Sequence, residues 1–157
     1  MSARYEIAPG DDGASYRFTT ISGLTYIAYF TEFFMMNEDQ EEITTYSFGF
    51  TCDRMEDIQR HDTRVKQTII YIIQDFFDNQ PEDVLLYMCM TDDGRARNRH
   101  IAFGRWFRDV NESLEKHNFT YRDDNSEFYS SILLKTTNPN KKRFIDAFYF
   151  TNQYWAD

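Results

Sequence analysis

VLLYMCM at residues 84–90, TDDG at 91–94 and RARNRHIAFGRWFRDV at 95–110 form the stretch around which the chain is organised. Seven uncharged residues, Val84 to Met90, stand between Pro81-Glu82-Asp83 and Asp92-Asp93-Gly94. A run of that length between turn residues predicts a buried strand rather than a helix. Gly94 can take the positive φ that turns the chain, while Asp92 or Asp93 accepts bonds from nearby backbone amides. Beyond the turn, Phe103, Trp106, Phe107, Val110 and Leu114 recur at spacings of three and four. That spacing predicts a helix from Arg97 to Lys116 with one aromatic stripe against a core. Arg97, Arg105 and Arg108 fall opposite the stripe, whereas Arg99 falls inside it. An unpaired buried charge costs several kcal/mol, so Arg99 requires a carboxylate, strand-end carbonyls or a ligand.

Working outward, Asp62 is placed to cap a helix running to Phe77, with Val65, Ile69, Ile72, Ile73 and Phe76 on one face. Asn79-Gln80-Pro81 ends it and delivers the chain to strand 84–90. Upstream, Ser15–Thr20 and Leu24–Phe33 alternate across Ser22-Gly23, a hairpin pattern with Tyr16, Phe18, Tyr26 and Phe30 as the inward or cross-strand residues. The acidic loop Asn37–Glu42 lacks the ligand spacing of a calcium-binding loop and reads as a solvated tip. Ile43–Cys52 is a third antiparallel strand with Tyr46, Phe48 and Phe50 on one face, and Glu127–Lys135 is a further strand. Residues 1–14 read as loop, and Phe119–Tyr121 as a short extended piece. Asn138-Pro139 precedes a segment in which Phe144, Ile145, Phe148 and Tyr149 suit a helix, although alternation there also permits a strand. The expected fold is α+β in one globular domain spanning 1–157. It has a mostly antiparallel sheet of about five strands, with strand 84–90 beside the first hairpin and two or three helices packed on one face.

Composition narrows the function. The chain has 157 residues with 41% hydrophobic and 18% aromatic content, which suits a sizeable aromatic core. A net charge of −9 repels phosphate backbones and favours basic or neutral partners. Nucleic acid is therefore disfavoured and a protein partner expected, with a homo-oligomer left open. Cys52 and Cys89 show neither zinc spacing nor a disulfide framework. There is no signal-like apolar segment at the N-terminus and no run long enough to span a membrane, so a soluble, cytoplasmic protein is expected.

Residues 62–77, 87–107 and 129–139 carry a resemblance. Thr68-Ile69, Phe76-Phe77 and the string Cys89-x-x-Asp92-x-Gly94-Arg95, Arg99, Phe103 and Trp106-Phe107 resemble a family of short bacterial proteins, mainly from Bacteroidetes, known as a domain of unknown function. The resemblance implies a small bacterial cytoplasmic or phage-borne protein. It brings no chemistry and no catalytic residue.

The sequence contains no nucleophile elbow, phosphate-binding glycine loop, zinc-protease helix or dinucleotide fingerprint. His61, His100 and His117 are dispersed in polar or helical contexts and read as surface residues. The candidate binding residues are Asp92, Asp93, Arg95, Arg97, Arg99 and His100, where carboxylates at a strand end meet arginines at a helix start and could hold phosphate. Set against this, Arg95 and Arg99 can simply pair with acids of the 36–42 or 122–127 loops. No cofactor and no metal are expected. The absence of a catalytic set favours an interaction or regulatory protein that binds another protein. The alternative is an enzyme or binder of nucleotide or phosphate at the Asp92–His100 turn.

Overall fold

A computed structural model of the chain describes residues 4–10, 15–52, 63–90, 101, 104–105, 107, 113–122, 124 and 127–156. Strand β1 (Ala8–Pro9) pairs with β2 (Ser15–Thr19), which forms the expected hairpin with β3 (Thr25–Met36). Gly23 closes that hairpin at φ 88°, a conformation open to glycine without steric cost. β3 continues antiparallel into β4 (Glu42–Cys52) through the acidic tip, where Asn37 Oδ1 accepts the amides of Asp39 and Glu41, both at 3.0 Å.

Helix α1 (Thr63–Asn79) carries the chain from β4 to β5 (Leu85–Met90). A crossover of this kind delivers the next strand parallel to the first. Tyr46 accordingly lies beside Leu85, and Phe48 beside Tyr87. β5 therefore sits next to β4, not next to the first hairpin. β6 (Leu114–Arg122) and β7 (Glu127–Lys135) complete a sheet of order β1-β2-β3-β4-β5-β7-β6, and α2 (Lys141–Ala156) ends the described chain. The sheet is mixed but mostly antiparallel, with seven strands among the described residues where about five were expected. The additions are β1, inside the presumed loop, and β6.

Helices α1 and α2 lie on opposite faces of the sheet, which corrects the expectation of one face. Neighbouring side chains of a strand point to opposite sides. Leu85 and Tyr87 pack with Ile69, Ile73 and Phe77 of α1, whereas Val84 and Leu86 pack with Phe144, Ala147 and Phe148 of α2. On β7 six consecutive residues, Tyr129 to Leu134, are buried. A one-sided sheet would expose every second one. The unbroken apolar run at 84–90 is the mark of a strand covered on both sides.

Helix α1 buries all five residues expected of its inner face. The N-cap proposed at Asp62 lies outside the described residues. Of the helix expected at 97–116, Ile101, Gly104, Arg105 and Phe107 are helical, and Phe107 packs against the core on the α1 side. The helix does not reach Lys116, because Leu114 already begins β6. Nine register pairs with β7 override the helical spacing there, and an edge strand tolerates the charges of Glu115 and Lys116. The C-terminal segment is a helix rather than a strand. Ahead of it, Asn138 Oδ1 accepts the Asn140 amide at 2.8 Å, and its Nδ2 donates to the Glu82 carbonyl at 3.1 Å.

Candidate functional site

Asp92, Asp93, Arg95, Arg97, Arg99 and His100 all lie outside the described residues, whereas the frame leading to them is described. β5 ends at Met90 opposite Phe128, and β6 ends at Arg122 opposite Glu127, so the chain enters 91–100 at the sheet end where β7 begins. There Arg122 Nη2 donates to the Tyr129 hydroxyl at 2.9 Å, and that hydroxyl donates to Glu127 Oε2 at 3.2 Å. The Tyr129 hydroxyl and then the Glu127 carboxylate raise the basicity of the Arg122 guanidinium. The other acids offered as partners for Arg95 and Arg99, those of the 36–42 loop, sit at the opposite end of the sheet, since β4 runs parallel to β5 and begins at Glu42. Glu41 in that loop pairs with Arg143 of α2 at 3.0 Å.

His117 is a half-buried residue of β6, not a lone surface group. It lies 3.2 Å from Glu115, whose other oxygen accepts from Lys141 Nζ at 2.8 Å. The Lys141 hydrogen bond, helped by His117, holds the Glu115 carboxyl below its usual value against the opposing effect of burial. This cluster ties the edge strand to the first turn of α2. Its charges answer one another, so it asks for no ligand.

A different arrangement stands on the α1 side. Tyr16 of β2, Phe30 of β3, Tyr46 of β4 and Phe76 of α1 wall a cleft of about 260 Å³, with Asp75 and Asn79 of α1 and Gln80 just past its end at the rim. Phe30 and Phe76 stack at 5.2 Å between centroids. Tyr16 stands edge-on to Phe30 at 6.1 Å, and Tyr46 edge-on to Phe76 at 5.7 Å. Sequence reading placed each ring inward but could not bring the four together. The strand alternation and the α1 stripe together held that signal.

The cleft opens at the electronegative end of α1. A helix accumulates partial negative charge at its C-terminus. Here the last turn contains no basic residue, and Asp75 and Asp78 add to the charge. In the following turn burial, together with Glu82, pushes the Asp83 carboxyl up. Beyond the helix the β3–β4 ribbon continues uncovered. Twelve residues of strand span about 40 Å and seventeen of helix about 25 Å, so the hairpin outruns α1. Phe34 is 53% exposed there and Met36 41%, on the same face as Glu32, Thr44 and Glu42.

A second, larger hollow of about 520 Å³ lies between the acidic tip and α2. Its two basic residues are already paired within the chain, Arg143 with Glu41 and Lys142 with Asp146, both at 3.0 Å. Among the described residues no group of three or more His, Cys, Asp or Glu is placed to hold a metal ion, and no helix is long and apolar enough to cross a membrane. Comparison with curated proteins gives no match, and comparison with solved structures gives none either. The chain matches the Family of unknown function (DUF6169) over residues 61–149, which takes in α1, residues 91–100, β5 to β7 and half of α2. That is more than half of its length, and the chain belongs to this family.

Proposed function

We propose that this protein is an interaction or regulatory protein that acts by binding a basic segment of a protein partner. The observation that carries this reading is the uncovered end of the β3–β4 ribbon. There Phe34 and Met36 stand exposed on a rigid sheet face between Glu32 and Glu42. Exposed apolar side chains supply contact area, and the surrounding carboxylates, in a chain of net charge −9, attract and orient a basic partner. A bacterial, cytoplasmic setting belongs to the same proposal and rests on the family resemblance.

The test is affinity capture from native cytosol with three baits: wild type, a Phe34→Ser/Met36→Ser variant and an Arg95/Arg97/Arg99→Ala variant, each shown to be folded. The expected result is one protein held in stoichiometric amount by wild type, lost with the Phe34/Met36 variant and cross-linked to the β3–β4 ribbon. Capture that is indifferent to the Phe34/Met36 change would overturn the assignment of the surface. A nucleotide or nucleic acid retained by wild type and lost only with the arginine variant would move the function to the Asp92–His100 turn.

A further inference from the structure

We infer that the cleft walled by Tyr16, Phe30, Tyr46 and Phe76 is a binding site for a cationic head group, best an alkylated ammonium, carried on a side chain of the partner. Aromatic faces hold partial negative charge, and several rings around one small space form the recognised environment for such cations. The four rings belong to four different elements, so the fold fixes their mutual geometry. The volume of about 260 Å³ is below the usual 300–1,000 Å³ of small-molecule pockets, which fits a head group better than a whole cofactor.

Charge points the same way. Asn79 Nδ2 is committed to the Asp75 carbonyl at 2.9 Å, and Gln80 Nε2 to Asp83 Oδ2 at 3.1 Å, so the amides at the rim are occupied. Among the described residues no hydrogen bond or ion pair reaches the Asp75 carboxylate. That carboxylate therefore sits at the negative end of a helix with no basic residue in its last turn. An apolar guest would leave Asp75 partly desolvated and unanswered, whereas a cation answers it and the helix end together. The fold already uses the same contact elsewhere. Arg4 lies 3.9 Å over the Tyr71 ring and Arg64 lies 4.0 Å over the Tyr5 ring.

This inference rests on the proposed function only in taking the cation to belong to a protein partner, and the probes separate the two. Trimethyllysine amide, choline and the neutral choline isostere 3,3-dimethylbutanol would be titrated into the whole chain and followed by NMR of the aromatic side chains. Both cations are expected to shift Tyr16, Phe30, Tyr46 and Phe76 and to bind at least about fivefold more tightly than the isostere. Asp75→Asn, at the rim of the cleft and checked for fold in the same spectra, is expected to weaken both cations several-fold and leave the isostere unchanged. Tyr16→Leu is a second variant, expected to weaken all three. Equal binding of isostere and cation, or no shift at the four rings with either cation, overturns the inference. If cations bind while no protein is captured through the β3–β4 ribbon, the partner reading falls and the site stands as one for a free small cation. If a partner is captured but the probes fail, the cleft inference alone falls.

Discussion

If α1 and α2 cover opposite faces of the sheet, two neighbouring residues of β7 must each be core residues, and truncating either must cost about the same. Leu133 faces α1 and Ile132 faces α2, and both are 0% exposed. Changing either to Ala removes three carbon atoms, about 0.8 kcal/mol each in transfer free energy, or about 2.4 kcal/mol in total. The cavity left behind adds to this, so about 3–4 kcal/mol is expected for each variant. That is a large part of the 5–15 kcal/mol typical of a domain. Urea unfolding followed by far-UV circular dichroism reads the change as a lower midpoint with an unaltered slope. Phe34→Ala, at an exposed position of the same sheet, is the control and should stay within about 0.5 kcal/mol. A loss below about 1 kcal/mol in either Ile132→Ala or Leu133→Ala would show that one face of β7 is solvated, and the two-faced sheet would be refuted.

Three further outcomes are expected. Thr68 accepts the buried Tyr5 amide at 2.8 Å and donates to the Arg64 carbonyl at 2.6 Å, so Thr68→Val should cost about 1–3 kcal/mol and Thr68→Ser much less. Hydrogen exchange at Tyr5 should quicken in the valine variant alone. Glu115 titrates lower in the folded chain than in the unfolded one, so its stabilisation is complete above the ordinary value of 4.5 and is lost as pH falls through the depressed folded value. Lys141→Ala should flatten that acid limb of the urea midpoint, by at most about 1 kcal/mol because the pair is partly exposed. At Gly49 an added Cβ would lie 2.6 Å from the Tyr29 ring, so Gly49→Ala should destabilise by about 1 kcal/mol in the native background and be neutral or stabilising beside Tyr29→Ala, as thermal unfolding would show.

Much of the architecture could be read in the sequence, wherever a local period was strong. The 3.6-residue stripe from Val65 to Phe76 and the alternation of Tyr16, Phe18, Tyr26 and Phe30 gave α1 and the first hairpin in place. The failures share one cause, pairing and packing against another part of the chain that local spacing does not reveal. Leu114 to Lys116 continue a helical spacing and yet join β7, because an edge register with Leu133 to Lys135 outweighs propensity. Ala8-Pro9 is too short to register as a strand until β2 lies beside it. The choice between one face and two was encoded in the runs at 84–90 and 129–134, which carry no charged residue on either side and admit only the small polar Ser130 and Ser131. The candidate site was less legible. Asp92 to His100 stood out by composition and lie outside the described residues. The aromatic cleft is made of residues that each look like ordinary core, and it exists only because α1 is shorter than the ribbon beneath it.

The parallel contact between β4 and β5 has a mechanical consequence. It consists of three register pairs, Tyr46 with Leu85 through Phe48 with Tyr87, against eleven between β3 and β4 and nine between β6 and β7. The sheet is thus two broad antiparallel plates joined along a narrow seam. Each helix lies across that seam like a staple. α1 grips Phe18, Tyr26 and Phe48 on one plate and Tyr87 and Leu133 on the other, while α2 grips Met35 and Ile43 on one plate and Leu86 and Ile132 on the other. Neither plate can part from its neighbour without stripping both helices at once. Load applied across the seam should therefore meet resistance from the two cores together rather than from a few backbone hydrogen bonds.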